Sequence, residues 1–460
     1  MIVRVRRVEL LAPLALGAAL IIGGLAATAP AVAVGAAAGL VFAFVVFADL
    51  AVGFAMLGFL SFLEVLPTSG GLSLAKGAGL LLAGAWVVRL CTNQRERDFF
   101  ADYPPLTWTL VAFVAWAALT IVWATQTAPV VQAVSRYIPN VLLLPIAFTA
   151  LRTRRDLTIV LGAIMIGAIV AAAFGILKPP NPSLVGEEAE RATGTIGDPN
   201  ELAAALLVGL ALGAGFALSR GSSVALRLGG LAAIPICAAG IFLSLSRGGL
   251  VALVAVLVAG TVLAGRWRAA ITGLLILVAT SGVLYFTQIA SLPARERVTT
   301  ADGGSGRSDL WTIGLRMVYA HPIGGVGAGN FPIVSANYVL QPGLIRRSEL
   351  IFSAAPKITH NTYLQVFAEM GAVGFILFAT VVLTCLLCAL RAARLWSKRN
   401  EVGMEALARG ALLALIGLLV ADFFLSETYG KLLWMMLALG PAMLALARRE
   451  GQNTTRSSPG

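Results

Sequence analysis

Residues 157–177 read LTIVLGAIMIGAIVAAAFGIL, 21 residues without a charge. Coiled as an α-helix, this run is about 30 Å long, the thickness of bilayer hydrocarbon. Similar runs recur at 9–29, 31–50, 51–66, 73–91, 107–125, 130–150, 200–219, 228–245, 248–264, 269–288, 363–390, 405–425 and 431–447. A β-barrel would instead need short segments of alternating polarity, and none is evident. The composition agrees: 58% of the 460 residues are hydrophobic, 12% are charged, and the mean hydropathy is +0.89. A soluble core of one domain cannot hide that much apolar surface. The expected fold is all-α, a polytopic helical membrane protein with about 12–14 transmembrane helices, the stretch 31–66 offering the least polar punctuation. Residues 1–460 read as a single integral membrane domain with one long loop at 289–362 and a disordered cytoplasmic tail at 451–460.

The net charge is +12. It is spread between the spans rather than gathered into a patch, so no nucleic-acid partner is expected. Arg4, Arg6 and Arg7 precede the first span. Arg89, Arg95 and Arg97 follow the fourth, Arg152, Arg154 and Arg155 the sixth, and Arg220 and Arg227 the eighth. Arg266 and Arg268 follow the tenth, Arg391, Arg394, Lys398 and Arg399 the twelfth, and Arg448 and Arg449 the last. Every second connection is basic, which places both termini in the cytoplasm. The start MIVRVRR then reads as a cytoplasmic start with a retained first helix, not a cleaved signal. The segments 178–199 and 289–362 fall on the opposite face.

Within the long loop, GRSDLWTIGLRMVYAHP sets Leu310, Trp311, Leu315 and Val318 at amphipathic spacing, a helix lying on the membrane or bundle and ended by Pro322. PIGGVGAGNFP lacks the GK[ST] of a phosphate loop and reads as a tight turn. Cys91, Cys237, Cys385 and Cys388 lie in or beside apolar runs, so neither a disulfide framework nor a zinc site is implied.

Chemistry enters with the arginines that the spans do not explain. Arg136 stands in the predicted span VVQAVSRYIPNVLLLP. Arg247 stands in LSLSRGGLVAL, between two spans with almost no loop. Arg191 opens RATGTIGDPNELAAAL, where Asp198 and Pro199 mark a helix start suited to an anion. A cation at such a depth costs several kcal/mol unless it meets water, an acid or an anion. Guanidinium forks match phosphate oxygens; snorkelling or pairing with a carboxylate is the ordinary alternative. His360 stands where the long loop gives way to an apolar run. An imidazole there can accept a hydroxyl proton, although an interfacial polar residue is the plainer reading. His321, before Pro322, ends a helix. No close-set acidic pair has metal-ligand spacing, so no metal and no cofactor are expected.

Four blocks, RATGTIGDPNELAAALL, SLSRGGLVALV, GRSDLWTIGLRMVYAHPIGGVGAGNF and THNTYLQVFAEMGAVGFILF, occur in that order. Together they resemble the O-antigen ligase and O-antigen polymerase family of bacterial envelope glycosyltransferases, over about residues 190 to 380. The resemblance implies a GT-C-type inverting enzyme of the inner membrane, with its active site facing the periplasm. It would move a glycan from undecaprenyl diphosphate to an acceptor hydroxyl, on lipid A-core for a ligase or on another glycan for a polymerase. By position, Arg191, Arg247 and Arg307 resemble the family's donor-diphosphate arginines, and His360 its catalytic histidine. Asn200 and Asn361 match polar positions of the same motifs, and Arg136 matches only as a basic residue in an amino-terminal span. A transporter or flippase would use such arginines as a substrate path. Repeat halves with broken helices in corresponding positions would mark one, and the sequence shows neither.

Overall fold

The structure is a computed structural model that describes residues 30–64, 74–92, 98–177, 191–299, 306–343, 345 and 358–456. The expected first span at 9–29, the first basic cluster and the segment 178–190 lie outside the described residues. Among those described there are helices and turns and no strand. The helices are α1 (Pro30–Ala48), α2 (Leu50–Leu60), α3 (Leu74–Thr92), α4 (Asp98–Asp102), α5 (Pro104–Leu119), α6 (Thr127–Ala150), α7 (Arg154–Leu177), α8 (Pro199–Leu218) and α9 (Val224–Leu243). They continue with α10 (Arg247–Leu263), α11 (Arg268–Leu284), α12 (Leu292–Thr299), α13 (Arg307–Ala320), α14 (Phe331–Val339), α15 (Thr362–Lys398), α16 (Val402–Ala421) and α17 (Lys431–Arg456). Ten described helical segments are long and apolar enough to cross a membrane, and three shorter apolar helices accompany them. The chain is a polytopic helical membrane protein.

Side-chain caps explain several of the starts. Asp49, Asp198, Ser223, Ser246 and Asn361 each accept a hydrogen bond from backbone N–H groups in the first turn of α2, α8, α9, α10 and α15, satisfying donors that have no intrahelical partner. At the centre, α8 packs against α7, α9, α10 and α16, while α17 packs against α6 and α15. Small residues allow this closeness, since lipid offers no hydrophobic drive between helices. A Cβ on Gly213 would press on Ala233 and the Gly230 carbonyl, and Gly215 faces Gly410.

Several of the basic connections meet one another among the described residues. Arg154 pairs with Glu401 at 2.8 Å and Glu450 at 2.6 Å, Arg155 with Asp49 at 3.3 Å, and Arg266 with Glu405 at 3.0 Å. These contacts gather the basic connections at one end of the bundle. At the other end Lys431 meets Glu64 at 3.2 Å, and the Thr195 hydroxyl donates to the Phe62 carbonyl.

Two expectations are corrected. The last helix runs on through Arg456, so residues 451–456 of the expected tail are helical; extending an existing helix costs little per residue, unlike starting one. The amphipathic helix forms as α13, but its buried stripe is Leu310, Ile313, Gly314 and Met317, with Leu315 turned outward. The reason is Gly314: Leu364 of α15 sits where a Cβ would be, 2.9 Å away.

The glycine-rich turn has a structural task. Helix α15 is broken at Gly371, whose φ is 64°. Val326 and Gly327 donate their N–H groups to the carbonyls of Ala368 and Glu369, both at 2.9 Å, and Ala372 N–H donates to the Pro322 carbonyl at 2.8 Å. Gly329 N–H donates to the Glu369 carboxylate at 2.8 Å. Those N–H groups are spent on the break, so they are not a phosphate cradle.

Candidate functional site

Three helix starts and the turns before them converge at the end opposite the basic connections. Arg191 donates from Nε to the Ser244 carbonyl at 3.0 Å and from Nη2 to Asn200 Oδ1 at 3.1 Å. The Ser246 hydroxyl donates to the same Asn200 oxygen at 2.9 Å, and Ser246 Oγ accepts Gly249 N–H at 3.2 Å. The start of α8, the turn after α9 and the start of α10 are thus bolted together, with Arg191 and Arg247 beside the joint. Before Arg247, Leu245 has φ 51°, a costly left-handed conformation for a bulky side chain. The turn tolerates it because the leucine is buried against Ala290 and Ala294.

His360 is the second left-handed residue at this end, with φ 48°. Histidine adopts that region more readily than most residues, at roughly 1–2 kcal/mol. The turn is held by Thr359, whose hydroxyl reaches across His360, donating to the Asn361 carbonyl at 2.9 Å and accepting Asn361 N–H at 3.3 Å. Asn361 Oδ1 then caps α15 through Leu364 N–H at 2.9 Å. The Thr359 carbonyl accepts the Trp311 indole N–H at 3.0 Å. Arg307 lies one helical turn before Trp311, and so on its face of α13. Such rigid support on either side of a strained residue is common where a side chain is being aimed.

The link between the two groups is the segment 422–430, which joins α16 to α17. Phe424 lies against Gly248, where a Cβ would be 2.7 Å away, and its ring sits 6.4 Å from Trp311. Thr362 N–H donates to the Asp422 carbonyl at 2.9 Å, its hydroxyl donates to the Leu425 carbonyl at 2.8 Å, and it accepts Glu427 N–H at 2.8 Å. The Glu427 and Glu201 side chains line one cavity. Glu201 is the neighbour of Asn200, so a path of neighbouring residues runs from Arg191 to the His360 turn. Arg191, Arg247, Arg307, Asn200 and His360 are all partly exposed, and Asn361 is buried.

The sequence reading missed the carboxyl groups. Glu64, Glu201, Asp422 and Glu427 line a cavity of about 70 Å³ with Lys431 at its edge, room for a few water molecules. Burial, then the neighbouring Glu201, Asp422 and Glu64, push Glu427 well above the usual carboxylate range. Burial does the same to Asp422, whose Oδ2 has no hydrogen-bond partner. No signal short of three-dimensional packing could have joined residues so far apart in the chain. Among the described residues no group of three His, Cys, Asp or Glu is placed to hold a metal ion. Arg136 is exposed on α6, its guanidinium 5.5 Å from the centre of the Tyr429 ring. It touches the same 422–430 segment but, among the described residues, joins neither of the two groups by a hydrogen bond or ion pair.

Residues 231–379 match the O-antigen ligase family. That region contains Arg247, Arg307, His360 and Asn361, and leaves Arg191, Asn200 and Arg136 outside it. The match supports the resemblance to O-antigen ligases and polymerases, and with it ligase- or polymerase-type activity in general terms. No curated protein matches the chain.

Proposed function

We propose that this protein is an inverting glycosyltransferase that moves a glycan from undecaprenyl diphosphate to an acceptor sugar hydroxyl at the periplasmic face of the bacterial inner membrane. The acceptor is lipid A-core, as for an O-antigen ligase; an O-antigen or exopolysaccharide polymerase of the same family is the second reading. One observation carries the proposal: Arg191 and Arg247 flank one hydrogen-bonded joint at helix starts, tied through the 422–430 segment to the His360 turn. Donor binding is the arginines' task, because guanidinium forks pair with diphosphate oxygens. Departure of the diphosphate builds negative charge, which fixed cations stabilise. His360 takes the proton of the attacking hydroxyl, or positions the donor for it. Asn200 holds the Arg191 fork in place, and Asn361 fixes the turn that aims the histidine.

An apolar groove of about 420 Å³ adds support for a lipid-linked donor. Leu250, Leu253, Val254 and Leu257 line it along α10, starting one turn after Arg247, with Leu275 and Phe286 opposite. A diphosphate held at Arg247 would leave its prenyl chain lying along that groove.

The test is release of polyprenyl diphosphate by the purified protein from a polyprenyl-diphosphate glycan with lipid A-core acceptor. His360→Gly is the informative variant, because glycine accepts the left-handed backbone while removing the imidazole. It should fold as the wild type does and lose turnover by about 10²-fold or more. With the arginines supplying the positive charge, turnover should survive EDTA. Donor binding without turnover on any acceptor would overturn the enzyme reading and favour a transporter or flippase.

A further inference from the structure

We infer that the end of the bundle opposite the candidate site holds a binding site for a phosphate-bearing anion, formed by Arg391, Arg394, Lys398 and Arg399 of the α15 end with Arg448 of α17. These residues line one cavity of about 520 Å³ whose floor includes Leu395 and Leu444. It lies more than 30 residues along the chain from His360, roughly 45 Å of helix away, so it is no part of the glycosyl-transfer site.

An excess of basic residues at this end is ordinary for a membrane protein, but their convergence is not. Several acids at this end pair with other cations: Glu401 and Glu450 with Arg154, Glu405 with Arg266 and Arg409, Asp49 with Arg155, and Asp98 with Arg152. Among the described residues Arg391, Arg394, Lys398 and Arg448 have no ion pair with a carboxylate, and no acid lines the cavity. Arg391, Arg394 and Lys398 stand three and four residues apart on one face of α15, so their charges repel one another. A bound anion offsets that repulsion, and guanidinium forks favour phosphate. The leucine floor lies at the end of two membrane-crossing helices. The favoured source is therefore a phospholipid headgroup, its phosphate among the cations and its acyl chains continuing along the helices. The room and the charge suit a headgroup with two phosphates.

The experiment is native mass spectrometry of the full-length protein in mild detergent, titrated with cardiolipin, with phosphatidylcholine, or with inorganic pyrophosphate. Cardiolipin should bind the wild type, and Arg391→Gln/Arg394→Gln/Arg448→Gln should weaken it by roughly a hundredfold. The same three positions changed to lysine should retain most of the affinity, and polyprenyl-diphosphate release should be unchanged in both variants. Binding of pyrophosphate that is lost in the glutamine variant, without cardiolipin binding, would keep the anion site but make its ligand soluble. Equal retention of cardiolipin by wild type and glutamine variant, or no binding of either probe, would overturn the site. If the triple variant does not fold, Arg448→Gln alone gives the same test with a smaller expected loss, about fivefold.

Discussion

At the scale of single residues, the two left-handed positions at the candidate site and the buried carboxyl groups carry most of the information. His360 and Leu245 adopt conformations that cost free energy, and each stands at a residue expected to work or directly before one. Glu427 gives a measurable consequence. Its folded pKa is raised above its ordinary value of 4.5, chiefly by burial and then by Glu201, Asp422 and Glu64. For a group raised in this way, stability is fully present below the unfolded pKa and is lost as pH rises through the folded one. Asp422 has the same sign. Melting temperature in detergent should therefore fall as pH rises above about 5, with a slope of up to about 1.4 kcal/mol per pH unit for each proton held. Glu427→Gln should flatten that slope. An identical profile in the variant would show that this carboxyl group does not hold a proton in the folded protein.

At the scale of elements, much was legible because helix signals are local. Uncharged runs of spanning length marked the helices, and Asp198 with Pro199 marked the start of α8. The register of α13 was not legible, because its inward face is chosen by Leu364 meeting Gly314, a contact between segments. The break in α15 was hidden too. THNTYLQVFAEMGAVGFILF reads as a continuous apolar helix, and only the paired glycine-rich turn shows why Gly371 departs from it. That pairing predicts a sharp loss. In Gly371→Ala the new Cβ would run into the Ile323 carbonyl, and alanine would occupy a φ of 64°. The left-handed term alone is roughly 1–2 kcal/mol, and the clash should bring the total to about 3 kcal/mol or more. Gly273→Ala in α11 is the control, since a Cβ there meets nothing within 4 Å; it should be neutral or gain up to about 1 kcal/mol. Thermal unfolding in one detergent compares the two, and equal melting temperatures would remove the turn's claimed role in bracing the break.

At the scale of the whole molecule, the sequence carried the order of ends but not the site they create. Arginine clusters after every second span set the parity, and the ion pairs of Arg154, Arg155 and Arg266 gather those connections at one end. The candidate residues on α8, α10, α13 and α15 then share the opposite end by parity alone. Their joining needed the 422–430 segment, whose carboxyl groups and Phe424 fit no motif. The positive-inside bias predicts that the basic end faces the cytoplasm, and the orientation decides whether a periplasmic lipid-linked donor could reach the arginines. Cysteine labelling decides it directly. With Cys91, Cys237, Cys385 and Cys388 replaced, a single cysteine goes to Ser308, exposed on α13, or to Arg220, exposed at the basic end. In spheroplasts a membrane-impermeant maleimide should label Ser308→Cys at once and Arg220→Cys only after permeabilisation. The reverse pattern would turn the Arg191, Arg247 and His360 end towards the cytoplasm, and a donor presented in the periplasm could not be its substrate.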